Sequence, residues 1–317
     1  MKLRRNSFSV VASLMAVSLA ACSALQPAAR LTQAAPTDQV QPSTGIQYHL
    51  VTNQLMLPTT KDQSEAYALN VDVDSQQTGD NLFGQLLALL TSVAPSLELQ
   101  ATLDQAVDAG QLVTLHLVTA DDPLNDPSVS WSILLGETAT SAPGFDGTDT
   151  FAIDSAAPAN APIVGNLADG HFSGGPGAAR LRFVLLGQQV DVSVIGLRLE
   201  ADLSAAGCAN GRLGGGLTVD DFRGKLLPTL TDGLNLAVQS NSALANLLLP
   251  TLDADGDGTI AVQELENNPM LRIAAQPDLD LLDASGSFNP GQDGTNDSYS
   301  MGLGFTCVPA TFMAPGE

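Results

Sequence analysis

The chain has 317 residues, 44% of them hydrophobic and only 4% aromatic, with 34 acidic residues against 12 basic ones and a formal charge of −22. That length exceeds one small core but falls short of two large domains once terminal segments are set aside, and its interior must be built from Leu, Val, Ile and Ala with few ring anchors. So acidic a surface repels phosphate backbones and anionic headgroups, which excludes nucleic-acid binding through a basic patch and leaves divalent cations or cationic partners as the better fit.

Lys2, Arg4 and Arg5 precede a charge-free apolar run over residues 10–21. A basic start followed by such a run is an export signal, and the run is about half the ~20 residues needed to span a bilayer. It ends in Leu19-Ala20-Ala21-Cys22. These four positions resemble the lipobox of bacterial lipoproteins. The resemblance implies cleavage before Cys22, thioether attachment of a diacylglycerol, and acylation of the new amino group by a fatty acid such as palmitate. Several acyl chains anchor a protein firmly. Ser23, standing where an Asp would retain such a protein, implies sorting to the outer membrane. Residues 1–21 are then the signal peptide, and the mature chain has nine basic residues against 34 acidic ones, a formal charge of −25.

Residues 22–45 are rich in Gln, Ala, Thr and Pro, with Pro27, Pro36 and Pro42 and almost no large apolar side chain. This composition predicts a lipidated flexible tether about 25 Å in mean span. Residues 46–317 form the globular domain.

Within it, the acidic turn Asn70-Val71-Asp72-Val73-Asp74-Ser75-Gln76, continuing to Asp80-Asn81, precedes a helix over 81–92 with Leu82, Leu86, Leu89 and Leu90 on one side. Apolar and polar residues then alternate over 96–122, 129–135 and 181–203, which predicts half-buried strands. Loops dense in Gly, Pro, Asp and Ala lie between them at 142–147 and 170–177. A second helical stretch covers 219–249 and breaks at Pro228, and strand character returns at 279–282 and 299–312. The pattern predicts a mainly β (α+β) fold, an antiparallel β-sandwich-like body with a short helical insert near the C-terminus. No repeat of solenoid length is visible.

The insert carries the segment Asp253-Ala254-Asp255-Gly256-Asp257-Gly258-Thr259-Ile260-Ala261-Val262-Gln263-Glu264. Carboxylates stand at positions 1, 3, 5 and 12, and glycine at position 6. Alternate aspartates can converge on one calcium ion while the chain curls around it; the Thr259 carbonyl adds a ligand, and Glu264 closes the cage with both oxygens. Gly258 permits the left-handed turn. Ile260 would face the core, and Ala261 leaves one ligand place to water. This loop resembles that of an EF-hand, over its twelve residues and short flanks; the plain alternative is an acidic turn without metal. Pro250 is expected to break the entering helix and Pro269 to cut the exit helix after Asn267 and Asn268, which argues against a switch that swings long helices open.

EF-hands work in pairs, and the best candidate partner loop is degenerate: Asp72, Asp74, Gln76 and Asp80 keep the spacing of positions 1, 3, 5 and 9, but Gln77 replaces the glycine and Phe83 the closing Glu. It is either a weak second calcium site or an acidic cap for the helix starting near Asn81. A further cluster, Asp278, Asp280, Asp283, Asp293 and Asp297, lacks a recognised spacing and reads as solvated loop. Lipidation of Cys22 leaves Cys208 and Cys307, an even number in an oxidising compartment. That predicts a disulfide, the alternative being two buried thiols that do not meet.

Taken together, the lipobox, tether, Asp80-Asn81 turn before a helix, β-rich middle, EF-hand-type loop and the strand near Gly302-Leu303-Gly304-Phe305 resemble a family of uncharacterised bacterial lipoproteins. The resemblance brings no activity with it. His49, His116 and His171 lack zinc-site spacing, and the glycine runs at 174–177 and 214–216 lack the context of phosphate-binding loops. The preferred reading is a non-enzymatic, membrane-anchored surface lipoprotein with structural calcium, engaging an envelope protein or glycan. The alternatives are a calcium-dependent polysaccharide hydrolase drawing a carboxylate pair from the 34 acids, and a carbohydrate-binding protein, disfavoured because only Trp131 and three Tyr could stack on sugars.

Overall fold

In the computed structural model, residues 45–72, 79–157, 160–269, 271 and 276–313 are described. The segments expected to be the signal peptide and tether, Cys22 among them, and Asp74 and Gln76 of the degenerate loop lie outside them. Eight strands pair in the order β1 (Ile46–Met56), β2 (Thr114–Ala120), β3 (Asp126–Leu135), β5 (Ile163–Ala168), β6 (His171–Leu185), β7 (Gln188–Ser204), β8 (Gly207–Thr218) and β9 (Ser298–Pro309), and β9 pairs back to β1. Outside this ring, β4 (Thr150–Ala152) and β10 (Thr311–Met313) form a parallel pair. Phe151 of β4 covers Val51 and Leu115 on the outer surface of β1 and β2.

The domain is therefore mainly β and antiparallel, but the expected sandwich is corrected to a closed barrel. Period-two patterning is common to both architectures. What separates them is the pairing of the first strand with the last, which leaves no edge exposed. The interior is mostly apolar, with Trp131 and Phe172 fully buried. The outer face of β6 and β7 carries Arg180, Arg182, Asp191, Arg198, Glu200 and Asp202, the inverse of a lipid-facing barrel. In β7 the buried positions are even-numbered to Val194 and odd-numbered from Leu197. Gly196, at φ 62°, takes up the extra residue where the register with β8 shifts, so both halves of the strand face inward.

Strand alternation puts both helical insertions at one end of the barrel. Between β1 and β2 lie α1 (Lys61–Ala66), α2 (Leu82–Val93) and α3 (Leu99–Asp108); between β8 and β9 lie α4 (Val219–Asp221), a π-turn at Phe222–Leu226, α5 (Leu227–Ser240), α6 (Ser242–Leu252) and α7 (Val262–Asn267). Leu86, Leu90, Leu103, Leu230, Leu234 and Leu248 of these helices share one continuous core with the barrel. Asn81 caps α2 by accepting from the Gly84 N–H and ties it to β9 through both backbone groups of Gly302. No single described helix is long and apolar enough to cross a membrane.

Several local expectations change. The strand expected over 96–122 is β2 only in its second half; the first half is α3, whose buried Leu99, Leu103, Ala106 and Val107 recur at helical spacing. The glycine-rich loop over 170–177 is a tight turn followed by the start of β6. Pro228 follows directly on the π-turn within an unbroken helical run over 219–240, and the chain breaks instead at Asn241, which caps α6. Pro250 lies inside α6, which continues to Leu252, so it does not break the entering helix. The exit helix α7 does end at Asn267, ahead of Pro269.

Candidate metal centre

The loop between α6 and α7 brings Asp253, Asp255 and Asp257 together: one carboxylate oxygen from each lies within 4.8 Å of the others, the one such trio among the described residues. Backbone N–H groups hold the three in place. Asp253 accepts from Gly256 and Asp257 through Oδ1 (2.7 and 3.2 Å) and from Gly258 through Oδ2 (2.9 Å). Asp255 accepts from the Asp257 N–H at 3.1 Å, and Asp257 from the Thr259 N–H and hydroxyl at 2.8 and 2.6 Å. The Thr259 hydroxyl and N–H hold the Asp257 carboxyl below its ordinary range, keeping it charged. Gly258 adopts φ 89°, as the turn at position 6 requires.

Glu264 is not part of the trio. Its Oε1 accepts from the N–H groups of Ala254 and Asp255 at 2.6 and 3.1 Å, and its Oε2 from that of Ala261 at 2.8 Å. The carboxylate thus ties the start of the loop to its end. Hard oxygens from three closely spaced carboxylates are the donor set a calcium ion takes. Exposed aspartates this close repel one another without a cation.

The other end of the loop is built into the core. Ile260 is 2% exposed, as expected for position 8. Its two backbone groups are bracketed by one residue that sequence reasoning missed, Asn235 on α5: Nδ2 donates to the Ile260 carbonyl and Oδ1 accepts from the Ile260 N–H, each at 2.8 Å. Nothing in the spacing of the loop points to a residue so distant in sequence.

The remaining acidic groups serve turns. Asp80 accepts from the Val71 N–H at 3.2 Å, closing the neck of the degenerate loop. Asp297 accepts from the N–H groups of Leu281 and Leu282, Asp283 from those of Ser285 and Ser287, and Asp278 from the Ser300 N–H and hydroxyl. Burial raises the Asp278 carboxyl, and the charge of Asp72 adds to that rise. Cys208 and Cys307 are register partners on β8 and β9 and are joined as a disulfide.

The histidines occupy strands. His49 stacks on Phe312, His171 pairs with Asp202 at 2.7 Å, and His116 is buried inside the barrel. Beside His116, Thr52 and Phe305 the void is about 20 Å³, room for a single water, so the barrel is packed at this point. An open groove of about 730 Å³ between α1 and α2 is lined by Thr59, Thr60, Ser64, Gln85 and Thr91, with Glu65 as its one carboxylate, paired with Lys61 at 3.2 Å. Trp131 and Tyr299 are fully buried, which removes both as platforms for sugar rings. No protein-family model, curated protein or solved structure matches this chain.

Proposed function

We propose that this chain is a lipoprotein of the bacterial outer membrane, anchored through Cys22, that holds one structural calcium ion in the loop 253–264 and serves a binding or structural role in the envelope. The observation that carries the calcium reading is the gathering of the Asp253, Asp255 and Asp257 carboxylates within 4.8 Å in a loop with the EF-hand spacing. The entering helix α6 and the Ile260 side chain both belong to the core, and α7 is a single six-residue helix. A loop so embedded favours stabilisation over a large opening. Glu264 would join the ligands by turning its carboxylate inward.

Binding to the native state alone contributes RT ln(1 + [L]/Kd), so millimolar calcium at a Kd of ~10⁻⁵ M stabilises by about 2.7 kcal/mol. Chelation is expected to lower the melting temperature of the mature chain in a calorimetric scan, and Asp253→Ala or Glu264→Ala to abolish that sensitivity. Identical melts of the wild type with and without chelator would refute the calcium reading. The anchor is tested separately: Cys22→Ser is expected to move the protein from the membrane fraction to the soluble one and to remove the acyl mass. Unchanged fractionation and mass would count against lipidation.

A further inference from the structure

The peptide unit between Thr259 and Ile260 holds two groups of interest at once: the Thr259 carbonyl, the backbone ligand expected at position 7, and the Ile260 N–H. In a trans peptide these point in opposite directions, and among the described residues the one cis bond is elsewhere, at Gly175-Pro176. The Ile260 N–H donates to Asn235 Oδ1 on α5. The Thr259 carbonyl is therefore turned away from α5. The Ile260 carbonyl, on the next peptide, receives the Asn235 Nδ2–H. One carboxamide thus makes the pair of bonds that a residue on a neighbouring antiparallel strand would make. α5 is fixed in turn by Leu230 and Leu234 in the core.

We propose that Asn235 is a positioning residue for the cation loop: its side chain stands in for the missing partner loop, holds the 259–260 peptide in one orientation, and keeps the Thr259 carbonyl aimed into the loop as a ligand. This inference rests on the calcium reading above. It makes a single EF-hand-type loop self-sufficient, with no need of the degenerate loop near Asp72 or of a second copy of the chain. Asn235 touches no ion itself. It acts through the peptide it clamps, so its loss removes one protein oxygen from the coordination sphere and lets water take the place.

The test uses the full mature chain in detergent, with calcium titrated calorimetrically and terbium as a luminescent substitute whose lifetime reports bound waters. Asn235→Leu, similar in size but unable to hydrogen-bond, is expected to raise the calcium Kd about tenfold and to add about one water to bound terbium. Asn235→Asp keeps an acceptor for the Ile260 N–H, the bond that orients the 259–260 peptide, but sets an oxygen against the Ile260 carbonyl; it is expected to bind calcium between the wild type and the leucine variant, a Kd weaker than that of the leucine variant counting against the positioning role. Should the leucine variant fail to fold, Asn235→Ser, too short to reach the peptide, replaces it with the same expected result. A leucine or serine variant that melts lower yet binds calcium with wild-type Kd and hydration overturns the positioning role while leaving the calcium site intact. A wild type that takes up neither ion overturns the calcium reading and this role together.

Discussion

Replacing His116 by Ala is expected to destabilise the domain by about 4 kcal/mol, and to remove most of its sensitivity to mild acid. His116 is 2% exposed inside the barrel, stacked on Phe305 with ring centroids 5.2 Å apart. Its Nδ1 lies 3.1 Å from Trp131 Nε1 and its Nε2 2.8 Å from Thr52 Oγ1. An indole nitrogen only donates, so Nδ1 must accept, and the neutral ring carries its proton on Nε2, which donates to Thr52. Truncation leaves the Trp131 N–H and the Thr52 hydroxyl buried without their partner, at about 1 to 3 kcal/mol for an unsatisfied group, and adds the cost of a cavity.

Protonation would set a second donor against the Trp131 N–H and place a charge in the core, and burial lowers the His116 pKa to about 3. The unfolded chain takes up that proton near the ordinary value of about 6.5. Between these values the unfolded state binds more protons than the native one, so stability is full above pH 6.5 and falls as the pH drops toward 3. The fall is about 1.5 kcal/mol between pH 6.5 and 5 and reaches about 4 kcal/mol at pH 3. Carboxylates held low in the native state, such as Asp154 beside the Ala156 N–H and Asp202 beside Asn210 and His171, begin to contribute only below about pH 5. Urea titrations in chelator at pH 6.5 and 5 separate the two: a steep wild type and a flat His116→Ala are expected. Equal slopes would place the sensitivity elsewhere.

What the sequence discloses here follows sequence distance. The acidic loop 253–264 is legible because its carboxylates, glycine and Ile260 fall within twelve consecutive residues, and the structure brings the three aspartates together. Glu264 is legible as the closing residue but not in its role here of binding loop N–H groups. Alternation in β7 is legible on both sides of Gly196, whereas the bulge that reconciles its two phases is visible only once β8 is paired with it. Barrel closure depends on β1 meeting β9, a tertiary pairing with no local signature. α3 was open to a strand reading because Leu99, Leu103, Ala106 and Val107 are interspersed with polar residues at spacings that fit both periods over a short window. Asn235 and the Thr52–His116–Trp131 trio were not legible at all, since each is defined by partners on separate elements.

Removing the disulfide is expected to have an effect as large as that of His116, and by a different route. Cys208 and Cys307 are 99 residues apart. The segment between them contains the rest of β8, helices α4 to α7, the acidic loop 253–264 and most of β9. In the native barrel the bond adds little, because β8 and β9 are already paired and the two cysteines face each other in register. Its weight falls on the unfolded chain, where it closes a loop enclosing the whole second helical insertion. The chain-entropy model gives about 4.7 kcal/mol for a loop of that length, less any native strain. A Cys208→Ala, Cys307→Ala double variant is therefore expected to unfold in urea at a much lower midpoint, with a larger exposed surface and a steeper slope because its unfolded state is less compact. Single variants should match the double one, since either removes the whole cross-link. Mass spectrometry of the wild type, purified under oxidising conditions and alkylated without reductant, should find neither cysteine modified. Two alkylated thiols, or a double variant unfolding at the wild-type midpoint, would show that the helical insertion is held against the barrel by packing alone.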